Sequence, residues 1–351
     1  MYGLTNAKAG TEAVICNFVR AIGDRIDFDF LSFEEITNHP EAAAYRNRVV
    51  RVPNKRTHML AYTKALGDHF RLHAHEYGAV WANLNILNNV DALRLGAKFG
   101  IERRILHAHN SFNDGRLHQK ILCAMHRPTI GRYITDRWAC SAAAGEYFFG
   151  SDEYVFVPNA INAQAHAFSA DARRDVREQL GISPDALVVG CVGRLVGQKN
   201  YRFLIDLWPQ VLDARPDALL LVAGDGELRG ELQDAIDGKG VGGSVRLLGA
   251  RDDVTALLSA FDAFAMPSFF EGLPLSLVEA QFNGLPCVVS DAITSESQIS
   301  TGVSFVPLSD TRRWVERLCE SRRGDVAFTE NAQMFDLMTQ ADRLVALFEG
   351  E

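Results

Sequence analysis

The chain has 351 residues, of which 47% are hydrophobic and 23% charged, and its formal net charge is −8 at a pI of about 5.7. This length exceeds one typical hydrophobic core and suits two domains. No apolar run approaches the roughly 20 residues that cross a bilayer. An acidic chain also argues against a general nucleic-acid binder. We therefore expect a cytoplasmic globular protein with no nucleic-acid partner.

Charge is distributed unevenly along the chain. Residues 1–160 hold 19 Lys and Arg against 16 Asp and Glu, whereas the remainder hold 17 against 28. This asymmetry supports two domains with different partners. The six cysteines show no C-x-x-C pair and no metal-ligand spacing, so we expect isolated reduced thiols.

Predicted strands and helices alternate along the first half, which is typical of a parallel sheet with helical crossovers. A loop that contains Gly10 leads into a helix over 12–22. Strands are predicted over 26–33 and 48–52, followed by a helix over 55–70.

Two H-x-H pairs fall where strands are expected to end, His73 with His75 and His107 with His109. In open α/β sheets the carboxyl edge carries the ligand. Metal binding is one interpretation, because alternation along a strand puts both members of a pair on one face. No acidic or cysteine ligand follows at a convincing spacing. A structural role and a role in ligand contact therefore stay open for these histidines, and no metal site is predicted.

The segment 116–137 is basic on balance and has apolar residues at helical spacing, namely Leu117, Ile121, Leu122, Met125 and Ile130. This pattern fits a helix that rests on an anionic membrane surface. It equally fits an ordinary core-facing helix that is broken at Pro128, and we prefer this second interpretation.

The second half opens with a predicted buried strand over 186–192 and the turn GRLVGQKN. Arg194 and Lys199 place two cations at this strand-to-helix turn. The turn is not a P-loop, because its glycines are too close together and no Ser or Thr follows Lys199. The later run GDGELRG misses the dinucleotide fingerprint by one residue. Asp252 or Asp253 is expected to cap a further helix.

The most informative stretch is FDAFAMPSFFEGLPLSLVEAQFNGLPCVVSD. Residues 261–266 predict a buried strand, and the helix that follows is expected to begin near Pro274 and to end at Gly284. Free N–H groups at such a helix start suit a phosphate. Glu271 precedes the helix start and Glu279 lies about one turn inside the helix.

The segment FEGLPLSLVEA, in which seven residues separate Glu271 from Glu279, resembles the paired-glutamate signature of retaining glycosyltransferases of glycosyltransferase family 4. GRLVGQKN, HAHNS, WACSAAAGEYFFG and VFVPNAIN are also similar to motifs of that family. The resemblance covers nearly the whole chain and is strongest over 186–296. It implies an α/β protein with the glycosyltransferase-B fold, in which two Rossmann-like domains with parallel sheets face each other. Bacterial exopolysaccharide and capsule glycosyltransferases are similar chains.

The resemblance implies four segments: an acceptor-binding domain over 1–162, a linker over 163–184, a nucleotide-sugar-binding domain over 185–328 and a closing helix over 329–351. The closing helix is expected to pack back on the first domain.

A first strand, which the family has before the Gly10 loop, is missing here. Its five or six buried apolar residues would contribute about 1.5–3 kcal/mol each, more in total than the usual stability of a domain. We therefore expect the native chain to begin upstream of Met1. A shorter, compensated sheet is the alternative.

Individual roles are implied by the same resemblance. Glu271 and His109 would orient the donor sugar, and Arg194 and Lys199 would neutralise the departing diphosphate. Glu279 would accept hydrogen bonds from the ribose hydroxyls. Further donor contacts are expected from Gly272, Leu273, Pro274, Leu275, Gly10 and Arg251.

The chain is thus predicted to be a metal-independent retaining glycosyltransferase that requires no cofactor. It would move a hexose-type sugar from a nucleotide-sugar to a hydroxyl of a glycan or lipid-linked acceptor in surface polysaccharide biosynthesis. A UDP-sugar is preferred to a GDP-sugar as the predicted donor. Peripheral contact with the inner face of the membrane stays open. A catalytically silent sugar-nucleotide-binding subunit and a sugar-nucleotide epimerase of the same architecture are the alternatives.

Overall fold

The computed structural model describes residues 10–44, 48–110, 117–150, 152–324 and 326–350. The expectation about a strand before Gly10 lies outside these residues. The chain forms two compact units: unit 1 comprises Met1–Ile161 with Asp336–Glu351, and unit 2 comprises Asn162–Phe335.

Unit 1 is built from parallel strands and crossover helices. Its elements up to residue 161 are α1 (Gly10–Ile22), β1 (Asp29–Ser32), β2 (Arg48–Arg51), α2 (Met59–His73), β3 (Ala79–Leu84), α3 (Asp91–Lys98), β4 (Arg103–Ala108), α4 (Leu117–His126), β5 (Asp136–Ala139), α5 (Ala142–Phe149) and β6 (Val155–Phe156). Among the described residues, β1 pairs with β2, and β3, β4, β5 and β6 form a parallel sheet in that order.

Unit 2 has one six-stranded parallel sheet in the order β12-β11-β10-β7-β8-β9. Its elements are α6 (Ala170–Gln179), β7 (Val188–Val192), α7 (Tyr201–Ala214), β8 (Leu219–Ala223), α8 (Arg229–Lys239), β9 (Val245–Gly249), α9 (Val254–Ala260), β10 (Ala263–Met266), α10 (Leu275–Phe282), β11 (Cys287–Ser290), β12 (Val303–Val306) and α11 (Thr311–Glu320). The α/β class and the parallel sheets agree with the sequence prediction.

The centre of unit 2 lies at β7 and β10. Every residue of β10 is buried, and apolar clusters cover both faces of the sheet. A strand that is buried on both faces needs a continuous apolar sequence, which AFAM supplies. Since β8 follows on one side of β7 and β10 lies on the other, the strand order reverses between β7 and β10, where ligands bind in folds of this kind.

The last helix, α12 (Leu337–Glu349), belongs to unit 1. Its Phe348 ring lies edge-on to Trp81, with 5.3 Å between ring centroids, and to Trp138, at 5.0 Å. The N–H of Leu337 donates to the carbonyl of Ile161 at 2.9 Å. Aromatic packing of this type adds to the area that the rings bury and fixes the helix on its unit.

Residues 163–184, for which the sequence suggested a linker, contain α6. Ser169 caps this helix by accepting from the N–H of Ala172. Arg173 and Arg177 each lie 2.6 Å from a carboxylate oxygen of Asp262, the residue directly before β10. The segment is polar because its arginines pair with Asp262 beside the sheet of unit 2. Helix α6 is therefore part of that unit and not a free linker.

Helix α4 differs from the preferred prediction. Leu117, Ile121 and Met125 are 74%, 52% and 63% exposed, so the core-facing interpretation is wrong for these three residues. Ile130 is buried as expected. Spacing places the three side chains on one helix face, but it does not show whether protein covers that face. Among the described residues, no helix is long and apolar enough to cross a membrane.

Candidate active site

Arg194, Lys199 and Glu271, three of the predicted site residues of unit 2, lie on the loops that follow β7 and β10. The two strands pair in parallel, with Ala263 opposite Val189 and Phe264 opposite Gly190. Their carboxyl ends therefore meet at the same edge of the sheet, where the strand order reverses. This pairing brings the GRLVGQKN loop beside the turn that carries Glu271.

Backbone hydrogen bonds hold the loop after β7 against the loop after β8. The N–H of Gly193 donates to Ala223 and that of Leu195 to Asp225, both at 3.0 Å. Gly224 has a φ of +145°, and a Cβ at this position would lie 1.9 Å from the carbonyl oxygen of Gly193. Only glycine permits so close an approach, so the GDG turn serves to fix the first loop.

Arg194 projects from this fixed loop. Its side chain is exposed and makes no hydrogen bond or ion pair with any residue that the structure describes. The loop therefore presents a guanidinium group that is available for an anion.

Lys199 and Glu271 form an ion pair across the two loops. Lys199 Nζ lies 2.7 Å from Glu271 Oε1, and the two side chains are only 15% and 8% exposed. Burial of both partners reduces screening by solvent. The lysine predicted for the diphosphate and the carboxylate predicted for the sugar thus neutralise each other in this structure.

Gln198 holds the Glu271 turn in place and was missed as a functional residue by sequence reasoning. Its carbonyl accepts from the N–H of Phe269 at 2.9 Å, and its side-chain amide donates to the carbonyl of Phe270 at 2.9 Å and to Glu271 Oε2 at 3.3 Å. Asn200 adopts the left-handed conformation and donates to the carbonyl of Pro267. The only sequence signal for Gln198 was its place next to Lys199.

The helix after Glu271 begins as predicted. Pro274 is the N-cap of α10, with no side-chain cap, and its carbonyl accepts from the N–H groups of Leu277 and Val278 at 3.1 and 3.3 Å. Leu273 is buried, and Gly284, at a φ of +73°, ends the helix. Gly272 and Leu275 flank this start, where the first amides of the helix need partners from outside it.

Glu279 lies one turn inside α10 and is partly buried. Burial raises the pKa of its carboxyl group to about 7. Within the described parts of the chain the carboxyl group has no hydrogen bond and no ion pair. It is therefore a candidate acceptor for ligand hydroxyl groups.

The surroundings of Arg251 and Gly10 do not show that either residue contacts the nucleotide-sugar. The Arg251 guanidinium donates to both carboxylate oxygens of Asp253, at 2.7 and 2.5 Å. Asp253 is the N-cap residue of α9, but its side chain makes no cap hydrogen bond because Arg251 holds it. Gly10 is the first residue of α1 in unit 1, and a Cβ there would meet nothing within 4 Å.

His109 lies in unit 1 and is 7% exposed. Its Nδ1 is 3.2 Å from Asn159 Oδ1 and its Nε2 is 2.9 Å from Asn83 Oδ1. Burial lowers the pKa of His109 to about 4, so the ring is neutral at pH 7. The neighbouring His107 donates from Nε2 to the carbonyl of Val157. Side-chain partners of this kind are expected of a structural histidine, and contact between His109 and a sugar stays a prediction.

A cluster that the sequence did not reveal lies elsewhere in unit 1. Ligand atoms of the buried Cys16, His39 and Glu41 lie within 4.8 Å of one another. Arg20 donates from Nε to Glu41 at 2.8 Å, and burial raises the pKa of the Cys16 thiol to about 12. A protonated thiol and a carboxylate held by arginine are poor metal ligands. All six cysteines are free thiols, as predicted.

Residues 186–322 match the family model described as glycosyl transferases group 1. EpsF of Bacillus subtilis, a protein assigned as a glycosyltransferase, is 28% identical over 90% of this chain and 85% of its own length. The UDP-Gal:alpha-D-GlcNAc-diphosphoundecaprenol alpha-1,3-galactosyltransferase of Escherichia coli is 34% identical over 38% of this chain and 36% of its own. The chain is a glycosyltransferase.

Solved structures give the fold of this enzyme. HepE from Anabaena, in complex with UDP and glucose, superposes with a TM-score of 0.73 at 19% identity over 99% of this chain and 94% of its own. WaaG, a glycosyltransferase involved in lipopolysaccharide biosynthesis, gives 0.69 at 15% identity over 100% and 98%. The predicted glycosyltransferase-B type of α/β fold is confirmed.

We predict that Glu279→Gln stabilises the protein at high pH. The pKa of Glu279 in the folded chain, about 7, lies above its ordinary value of 4.5, so the folded state binds the proton more tightly. Folding stability must then fall as pH rises from 4.5 through 7. With allowance for partial exposure, the variant should gain about 1–2 kcal/mol at pH 8 and progressively less towards pH 5.

Urea unfolding at a series of pH values measures this difference. Glu227→Gln is the control, because Glu227 is exposed and should give the same small effect at every pH. A constant difference between wild type and Glu279→Gln from pH 5 to pH 8 would contradict the burial of an unpaired carboxyl group.

Proposed function

We propose that the enzyme is a retaining glycosyltransferase of the family 4 type that transfers a hexose from a nucleotide-sugar to a hydroxyl group. The observation that carries this proposal is the grouping of Arg194, Lys199, Glu271 and the start of α10 on neighbouring loops at one sheet edge. Cations and helix amides suit a diphosphate, and the carboxylates of Glu271 and Glu279 suit sugar hydroxyl groups.

The proposed chemistry rests on charge stabilisation at the leaving group. As the bond between the sugar C1 and the diphosphate breaks, negative charge grows on the departing oxygen, and Arg194 and Lys199 would neutralise it. The acceptor oxygen would bond to C1 on the same face, and its proton would pass to the departing phosphate oxygen. These two side chains would take the part that a divalent cation takes in other transferases, so we propose that no metal or other cofactor is required.

Glu271 would bind the hexose while its turn stays held by Gln198. Because Lys199 pairs with Glu271 before the donor arrives, the lysine would be shared between the carboxylate and the diphosphate in the complex. Such positioning groups lower the barrier by fixing the reacting atoms before the reaction begins. We propose that His109, as a neutral ring, also orients the sugar.

Glu279 would accept hydrogen bonds from the ribose. The charged carboxylate is the better acceptor, and its pKa in the free chain is about 7. Donor binding would therefore lower this pKa and take place more readily above pH 7 than below it.

UDP is the proposed nucleotide and a lipid-linked glycan the proposed acceptor, with unit 1 as the acceptor-binding unit. HepE binds UDP, and the E. coli relative is named for UDP-Gal and a diphosphoundecaprenol-linked sugar. A Corynebacterium glutamicum relative is named as GDP-mannose-dependent, so GDP-sugars are the second choice. Relatives named for Vi polysaccharide and amylovoran biosynthesis support a role in surface polysaccharide assembly.

Calorimetric titration with UDP, GDP and their hexose conjugates, in the presence of a chelator, tests the donor site. We expect one nucleotide family to bind saturably, and Arg194→Ala to weaken that binding by about ten- to a hundredfold, the value of a charged hydrogen bond. Arg202→Ala is the matched control, because Arg202 is also an exposed arginine but pairs with Asp206 on α7.

If both arginine variants lost the same affinity for the nucleotide, the loss would reflect the net charge of the protein and not a contact made by Arg194. If the folded wild type bound no nucleotide, the donor site would be refuted. Binding without sugar transfer to any acceptor would favour a silent sugar-nucleotide-binding subunit. Conversion of the sugar nucleotide in the absence of acceptor would favour an epimerase.

We further propose that α4 rests on an anionic membrane surface. Its exposed face is formed by Leu117, Ile121 and Met125, which follow one another at intervals of four residues. Lys120 and Arg127 beside this face are exposed as well. An apolar face flanked by cations is the pattern of a helix that lies in the interface of a bilayer, where a lipid-linked acceptor is found.

Flotation with vesicles of phosphatidylglycerol and phosphatidylcholine tests this contact. Replacement of Leu117, Ile121 and Met125 by serine should abolish binding to anionic vesicles while UDP affinity stays unchanged. Replacement of Met59 and Leu60 by serine is the control, because these two residues are 61% and 87% exposed on another helix. Equal binding by the wild type and the α4 variant would contradict the proposal.

A further inference from the structure

Tyr201 is a buried tyrosine at the start of α7, directly after the GRLVGQKN loop. The residue is 4% exposed, and its ring belongs to the apolar core of unit 2 together with Cys191 and Leu204. Neither the sequence motifs nor the function proposed above gives this side chain a role.

The hydroxyl group of Tyr201 points out of the core towards the loop that precedes it. A Cβ added to Gly193 would lie 2.8 Å from the Tyr201 oxygen and 3.2 Å from Cε of Lys199. The tyrosine hydroxyl, the lysine stem and the Gly193 backbone therefore converge on one small region. Gly193 leaves this region open, because any larger residue would fill it.

In the part of the chain that the structure describes, the Tyr201 hydroxyl has no hydrogen-bond partner. Burial, and after it the charges of Cys191 and Glu271, raise the pKa of Tyr201 well above its ordinary value. The Glu271 carboxylate is already engaged by Lys199 and Gln198. The tyrosine stays protonated at working pH and can act as a donor.

The Tyr201 oxygen is not one of the fully buried polar atoms that lack a partner, so it reaches the edge of the core at this loop. Phenylalanine would fill the same apolar space, so packing does not require the hydroxyl group. At this position the hydroxyl group can bind a ligand at the loop, and the cations Arg194 and Lys199 on the same loop indicate that this ligand is anionic.

We propose that the Tyr201 hydroxyl donates a hydrogen bond to a non-bridging oxygen of the diphosphate of the nucleotide-sugar donor. This inference rests on the proposed function and adds a neutral donor to the two cations. A neutral group would bind the diphosphate in the ground state and in the transition state alike, so its loss is expected in donor affinity and KM before kcat.

Tyr201→Phe removes only the oxygen atom and tests the proposal by calorimetry. We expect UDP to bind about tenfold more weakly, as for loss of a hydrogen bond to a charged group. The unfolding midpoint should stay unchanged or rise, because the oxygen has no protein partner. Uridine, which lacks phosphate, should bind wild type and variant equally.

Tyr62→Phe is the matched control in unit 1. Tyr62 is also 4% exposed, but its hydroxyl accepts from Asn89 Nδ2 at 3.1 Å. This variant should lower the unfolding midpoint and leave the affinity for UDP unchanged, which is the opposite pattern to Tyr201→Phe.

Three results would overturn the inference. Equal UDP affinity in wild type and Tyr201→Phe would show that the hydroxyl does not touch the diphosphate. A weaker affinity for UDP-hexose alone, with UDP unaffected, would move the contact to the sugar. A wild type that binds no nucleotide would remove the proposed function, and the inference with it.

Discussion

The parallel pairing of β7 with β10 is the constraint on which the candidate site depends. It joins strands that are separated by about 70 residues of sequence and places their carboxyl ends at the point where the strand order reverses. Gly190 makes this core possible, because a Cβ at its position would lie 1.9 Å from the ring of Phe261. The phenylalanine ring fills the space that the glycine leaves open. From this pairing follow the contact between the two loops, the Lys199–Glu271 ion pair and the position of Gln198 against the Glu271 turn.

The electrostatics of the edge suit an anionic ligand before any ligand arrives. Lys199 and Glu271 cancel each other, Glu279 is half protonated near pH 7, and Arg194 is left with no partner among the described residues. The net charge of this group is therefore positive or near zero, although unit 2 belongs to the more acidic part of the chain. An unpaired, partly buried carboxyl group lowers the stability of the folded state, and groups with shifted pKa values of this kind are concentrated at functional sites. A ligand that binds to Glu279 would offset this loss of stability.

Local sequence rules predicted the parts of the site that depend on neighbours along the chain. Proline and glycine set both ends of α10, and the apolar run before Pro267 gave β10, so the positions of Glu271 and Glu279 relative to the helix followed directly. Features that depend on distant partners did not follow. The exposure of α4 depends on which of its faces the rest of unit 1 covers. The side chain of Asp253 accepts from Arg251 and not from the start of its helix. Asn83 and Asn159, the partners of His109, lie on another strand and on a loop. The free hydroxyl of Tyr201 could not be read from a sequence in which the residue fits a helical apolar pattern.

A crystal structure of the chain with UDP would show whether the loops after β7 and β10 form one diphosphate site. We expect phosphate oxygens within about 3.2 Å of the Arg194 guanidinium and the Lys199 ammonium group, with the ribose hydroxyls at Glu279. UDP bound at a different edge of the sheet, with Arg194 in solvent and the Lys199–Glu271 pair untouched, would contradict this expectation.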